Sequence, residues 1–233
     1  MGATSDEQVP VHRAATVILV RDGDRGLEAL LVRRNSNLVF HGGSWVFPGG
    51  RMDPGDYPPE GPEDHEAAAV AAAVREAHEE AGLLIPPTSL RPFSHWTTPP
   101  GRPRRFATWF FLATAPDGDV ATDGSEIDDH RWFTPAEALD ARQAGEIELP
   151  PPTFVSLTRL GACRSAADAL AQLDSYPYLR FNPKLTKVDG GMLTFYEGDA
   201  AYEDHSRAEQ ASPRHRLRAT KVEWRYENVG LWP

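Results

Sequence analysis

Glu76, Glu79 and Glu80 stand at i, i+3 and i+4 within Arg75-Glu76-Ala77-His78-Glu79-Glu80-Ala81-Gly82-Leu83. In an α-helix, at about 100° per residue, they share an arc of about 100° on one face. Three like charges so placed repel one another, and a hard divalent cation with a preference for oxygen offsets that cost directly. Upstream, Phe47-Pro48-Gly49-Gly50 reads as a turn whose glycines, lacking a Cβ, let the backbone pass close to a bound diphosphate. An isolated Glu-rich face is ordinarily just solvated. Arg75 and Gly82 at fixed offsets and the glycine turn tip the balance toward a site.

The rest of the helix fits that reading. Val70, Val74, Ala77 and Ala81 fall on a separate stripe, roughly 130° from the glutamates, that can pack into a core. Ala69, Ala72 and Ala73 stack with the glutamates, and their small size is expected to leave room for metal and substrate. Arg75 points off-centre and is expected to brace the structure through a carboxylate elsewhere. His41, His78 and His95 invite ligand claims, but His78 lies about 160° from the glutamate centre and is rejected there. Cys163 is the single cysteine, read as inert core, so no intrachain disulfide or cysteine zinc cluster can form.

Together these residues resemble the Nudix box. That pattern runs Gly, five residues, Glu, seven residues, Arg-Glu, an aliphatic residue, any residue, Glu-Glu, any residue, Gly, an aliphatic residue. Gly50 matches the first glycine, and Asp56 stands at the acidic position. Residues 57–74 then precede Arg75, an insertion of eleven over the usual seven, and Ala77 is a weak aliphatic match. The interrupted box, the approach GSWVFPGG and Trp96-Thr97-Thr98-Pro99 are similar to one branch, which includes a peroxisomal coenzyme A diphosphatase (the nineteenth Nudix type). Coenzyme-A-cleaving relatives often carry further basic residues ahead of the glycines. Here the stretch reads Asn35-Ser36-Asn37-Leu38-Val39-Phe40-His41.

The resemblance implies an α/β/α sandwich with a mixed sheet, water attack at phosphorus and release of two phosphorylated products. It implies Glu76, Glu79 and Glu80 as ligands for Mg²⁺ or Mn²⁺, with the Gly50 carbonyl as a further oxygen. Glu79, Glu80 and Glu126 are the catalytic candidates, and Glu80 and Glu126 both remain open as the base. Gly49, Asp56, Arg75 and Gly82 are assigned structural roles in the box. Arg33, Arg34, Arg102, Arg104 and Arg105 are the cations available to substrate phosphates. Trp45, Trp96 and Trp109 could stack on an adenine, though core packing is the simpler role. The expected substrate is nucleoside-diphosphate-linked, coenzyme A or a derivative first. An ADP-ribose or NADH pyrophosphatase, a catalytically silent nucleotide-sensing module on the same fold, and a metal-buffering acidic helix are the other readings.

Elements that could position these groups are visible around them. Ala14–Val20 and Glu28–Arg33 read as a strand hairpin, Glu63–Ala81 as the helix, and Trp96–Thr98, Phe106–Ala113 and Arg131–Phe133 as strands. Pro135–Ala144 reads as a short helix. The alternation indicates an α/β or α+β domain over residues 11–149, after a loose stretch 1–10 and with the box insertion at about 57–67. Pro150-Pro151-Pro152 marks a boundary before an α+β extension, 150–233. There, Thr153–Leu160 and Ser165–Leu173 read as helices, Ser165 as an N-cap, and Lys184–Val188 with Met192–Tyr196 as a hairpin. His215–Tyr226 reads as one more strand.

The chain has 233 residues and a net charge of −10, from 34 acidic and 24 basic side chains. Such acidity argues against non-specific nucleic-acid binding, which needs phosphate neutralisation. No apolar run is long enough to span a bilayer, no secretory leader is visible, and a cytoplasmic location is expected. A homodimer is one way residues 150–233 could be used.

Overall fold

A computed structural model describes residues 9–36, 42–122, 124–175, 178–210 and 212–230. His41, Asn37 to Phe40 and most of the stretch 1–10 lie outside them. The first strand, β1 (Val11–Gly23), is longer than its apolar centre suggested. Ala14 to Val20 need no polar alternation because both faces of the strand are covered. Ala15, Val17 and Leu19 join one core, Ile18 and Val20 the other.

A tight turn leads to β2 (Gly26–Arg34), whose Gly26 takes the positive φ of 103° needed there. Next come β3 (Trp45–Val46) and β4 (Gly49–Arg51). Helix α1 (His65–Ala81) starts two residues later than expected, where the Asp64 side chain accepts from the Ala67 N–H. Gly82 ends it in the left-handed conformation, φ 70°, donating to the carbonyls of Ala77 and His78. Strands β5 (Arg91–Thr97), β6 (Arg105–Thr114) and β7 (Ile127–Phe133) follow, then α2 (Pro135–Gln143). Thr134 and Glu137 close a reciprocal cap on α2, with Pro135 where a missing N–H costs nothing.

The eight-stranded sheet runs β3-β2-β1-β6-β5-β8, with β4 added to β1 and β7 to β2. β1 and β6 are parallel, and the other pairs among β1 to β7 are antiparallel. β2 pairs with the end of β1 at Val20 to Gly23, and β4 with its start at Ala14 to Thr16. The sheet therefore forks along one edge of β1. α1 covers one face and α2 packs against the other.

Residues beyond Pro150 share that second core. They form α3 (Pro151–Leu160), α4 (Ala166–Ser175), β8 (Leu179–Phe181) and a meander of β9 (Lys184–Val188), β10 (Gly191–Phe195), β11 (Arg214–Thr220) and β12 (Trp224–Val229). The Ser165 hydroxyl accepts from the Asp168 N–H at the start of α4, as a cap should. β8 pairs in parallel with β5, setting Phe181 opposite Trp96. Phe154, Val155, Leu157, Phe181, Tyr196 and Leu217 pack with Ile18, Val20 and Leu112 in one cluster. The Arg216 guanidinium grips both oxygens of buried Asp199 at 2.7 Å, tying β11 to the loop after β10.

Two expectations are corrected. His215–Tyr226 is two strands, because the Thr220 hydroxyl binds the backbone of Glu223 and reverses the chain with neither Gly nor Pro. Ala69, Ala72 and Ala73 do not line an open site. They are fully buried against Ala15, Val17 and Leu19, so their small size brings the helix close to the sheet. Val70 and Val74 are only half-buried.

Candidate active site

Close approach of α1 to β1 puts the last turns of the helix at the fork of the sheet. Glu80 falls on the buried face there, its side chain only 6% exposed. Its carboxylate accepts the Gly49 N–H at 2.8 Å and lies 4.0 Å from the Arg34 guanidinium. Burial pushes its pKa up to about 8, and the neighbouring carboxylates of Glu76 and Glu126 add to the push. Glu76 is also raised, chiefly by burial, with Glu79 and Glu126 contributing and Arg75 opposing. Glu79 is the open member of the trio, its side chain 54% exposed.

The two glycines have separate tasks. A Cβ on Gly49 would overlap the Ala15 carbonyl and come within 2.6 Å of Thr16 Cα, so β4 could not lie against β1. One on Gly50 would strike the Glu76 carboxyl, 2.6 Å from its Cδ. Gly50 thus makes the space in which that carboxylate sits.

Arg75 holds the assembly together. Its Nε and Nη2 donate to the two oxygens of Asp56 at 3.0 Å each, and Nη2 also reaches the Arg51 carbonyl at 2.9 Å. Nη1 donates to Glu76 and Glu79, each at 2.9 Å. Arg75 was expected to look away from the glutamates. It does brace a distant carboxylate, but the same fork also holds two of the trio. Burial alone would raise Asp56; the bonds from Arg75 and from the Asp53 N–H outweigh it and hold the pKa below the usual value.

These groups open on a cleft of about 1210 Å³. Glu76, Glu79, Glu80, Glu126, Gly49 and Gly50 all line it. So do Arg34, Arg102 and Arg104 among the expected phosphate-binding cations. Arg33 does not: successive strand residues face opposite ways, and it pairs with Asp128 at 2.6 Å beside Trp45. Nor does Arg105, whose Nε donates to the Thr98 carbonyl and braces the loop carrying Arg102 and Arg104. Arg51, in the cleft and 3.2 Å from His12 Nδ1, was missed, although it directly follows Gly50. Trp45 and Trp96 are buried; Trp96 stacks on Phe181 at 3.8 Å and is among the residues lining the cleft, whereas Trp109 packs against His95 and is not. His78 is exposed. Cys163 is half-buried against the core, and burial pushes its thiol up to about 11, which keeps it protonated.

The far wall of the cleft comes from the last third of the chain: Pro150 to Thr153, Pro183, Leu185, Thr194 and Tyr196. Nothing in the local sequence at those positions announces it.

The donor chemistry suits a divalent cation. The carboxylates are hard oxygen ligands, and Glu76 and Glu80 are both raised by burial and by neighbouring acids, a repulsion that a cation between them would relieve. As they stand, Arg75 occupies Glu76 and Glu79, and among the described residues no three acidic, His or Cys side chains converge into a ready-made cage.

Comparison with known proteins gives a consistent result. A family model described as NUDIX domain matches residues 10–151. A Caenorhabditis elegans chain carrying a provisional nudix hydrolase name is 30% identical over 185 residues, covering 63% of this chain and 59% of that one. The human acyl-coenzyme A diphosphatase NUDT19 is 33% identical over 129 residues, 51% of this chain and 33% of that protein. The chain thus spans less than two thirds of the length of these relatives. Among solved structures, a NUDIX hydrolase from Alicyclobacillus acidocaldarius superposes with a TM-score of 0.62 at 28% identity, covering 70% of this chain and 96% of that one.

Proposed function

This chain belongs to the NUDIX domain family, and from that premise we propose that it is a metal-dependent hydrolase of the diphosphate linkage in a nucleoside-diphosphate-linked substrate, coenzyme A or a derivative first. The observation that carries the reading is the pair of inward carboxylates, Glu76 and Glu80, crowded beside the Gly49–Gly50 strand at one end of a large cleft. Glu76, Glu79 and Glu80 would hold Mg²⁺ or Mn²⁺, with the Gly50 carbonyl as a further oxygen. The bound ion neutralises the diphosphate and lowers the pKa of water.

The protein's own groups supply the rest. Arg34, Arg51, Arg102 and Arg104 offer charge to the phosphates. The Gly49 N–H and Arg75 position Glu80, Glu76 and Glu79 at the fork of the sheet, and binding of the ion would draw Glu76 and Glu79 from Arg75 toward it. Glu80 or Glu126 takes the proton from the attacking water, the phosphorus–oxygen bond of the bridge breaks, and two phosphorylated products leave. Both candidate bases line the cleft, and pH–rate profiles of Glu80→Gln and Glu126→Gln separate them. The human relative is named an acyl-coenzyme A diphosphatase, and the uncharged lining contributed by the chain beyond Pro150 supports a substrate of that class here.

Phosphate release from coenzyme A, NADH, ADP-ribose and dinucleoside polyphosphates, with and without Mg²⁺ or Mn²⁺, tests the proposal. Metal-dependent turnover on at least one, lost in Glu79→Gln, is expected. Tight nucleotide binding without turnover would sink it in favour of a sensing module.

A further inference from the structure

The end of β2 grips the bend that leads into β7. Arg33 stands opposite Asp129 and Arg34 opposite Ile127, so Asp128 is an extra residue on β7, a β-bulge. A bulge interrupts regular pairing and re-aims the residues beside it. Arg33 Nε donates to the Asp128 carboxylate at 2.6 Å. The Asn35 N–H donates to the Glu126 carbonyl at 2.8 Å, and Asn35 Nδ2 donates to the Ser125 carbonyl at 3.1 Å. The Gly124 N–H closes the bend on the Ile127 carbonyl at 3.1 Å, and Ile127 itself is fully buried.

Glu126 sits inside this set of bonds. It is exposed, yet it lines the cleft, and its charge is felt by both Glu76 and Glu80. An exposed bend left to itself samples many backbone conformations. Here the chain is fixed on either side of the acid: Ser125 and Glu126 through their carbonyls, Ile127 by burial, Asp128 by its ion pair. Arg34, between the two gripping residues, lines the cleft itself. One strand end thus gives the cleft a cation and, through the residues flanking that cation, secures an acid there.

We propose that Arg33 and Asn35 are positioning residues of the enzyme: they fix the bend so that the Glu126 carboxylate stays in the cleft with Glu76 and Glu80. Neither has to touch substrate. This rests on the diphosphate-hydrolase reading, and it requires Glu126 to take part in turnover rather than to be a solvated acid. It also gives Arg33, which does not line the cleft, a task in the reaction.

The test uses whichever of coenzyme A, NADH, ADP-ribose or a dinucleoside polyphosphate is cleaved fastest. Arg33→Met and Asn35→Ala combined remove both side-chain grips and should lower kcat by about tenfold or more, as a misplaced catalytic group does. KM and the melting temperature should hold; a displaced Arg34 would show in KM instead. Restoring a cation with Arg33→Lys should recover part of kcat. A double-mutant cycle then isolates the route of the effect. On Glu126→Gln the same two changes should lower kcat no further, because the group they place is gone. An undiminished loss on Glu126→Gln, or full kcat in Glu126→Gln alone, would overturn the positioning role and leave the hydrolase reading standing. If wild type cleaves none of the four, the hydrolase reading fails, and a nitroxide attached through Glu126→Cys, with Cys163→Ala, still decides the grip. Its electron paramagnetic resonance spectrum should narrow when Arg33→Met and Asn35→Ala are added; the same spectrum with and without them overturns it.

Discussion

Glu80 carries the most costly charge in the cleft. Its pKa of about 8, against an ordinary 4.5, makes a signed prediction for protein stripped of metal by a chelator. A carboxyl raised on folding contributes stability that is complete below about 4.5 and lost as pH rises through about 8. Wild type should therefore lose on the order of a few kcal/mol relative to Glu80→Gln between pH 5 and 8.5, and Mg²⁺ should restore part of it. Parallel melting curves across that range would contradict the burial argument. Arg75 gives a second test. Arg75→Ala leaves Asp56 in its niche without its fork, a loss of about 2 kcal/mol by thermal denaturation, and Arg75→Lys should recover only part because an ammonium cannot make both bonds. The glutamate trio was legible in the sequence because helical spacing is a local property. That Glu80 is buried while Glu79 is open was not, since it depends on where the sheet forks.

Elements explain why the glycines differ. Gly49→Ala forces backbone against backbone between β4 and β1 and should cost about 1–3 kcal/mol in a denaturant titration. Gly50→Ala meets only the movable end of a side chain, so the melting temperature should hold while Mn²⁺ affinity falls as Glu76 is displaced. The reverse pattern, a folding defect at Gly50 and a metal defect at Gly49, would mean the strand is misplaced. Long periodic elements such as α1 and β6 could be recognised from residue pattern alone. β8, only three residues long, could not, because its identity as a strand comes from pairing with β5. The β11–β12 reversal was hidden for a different reason: a threonine does there what glycine or proline usually does. Alanine in α1 was ambiguous between making a space and permitting contact, and only the helix–sheet distance decides between them.

At the scale of the whole molecule, the chain beyond Pro150 shares a hydrophobic core with what precedes it. A fragment ending at Leu149 would expose the surface now covered by Phe154, Val155, Leu157 and Phe181. It should lose cooperative melting and bind a hydrophobic dye, and a sharp transition from that fragment would show that the first part folds alone. The sequence marked a break at Pro150 because composition changes there, but a change of composition is not a break in the core. No helix among the described residues is long and apolar enough to cross a membrane. Pro150, Pro151 and Pro152 both launch α3 and face the cleft. Their rings fix φ, so this stretch of wall gives up little backbone freedom when something settles against it. Selection at that end is consequently a matter of shape set before encounter: a poorly fitting molecule meets a stiff surface that cannot mould itself to it, and a well-fitting one pays little for ordering its host.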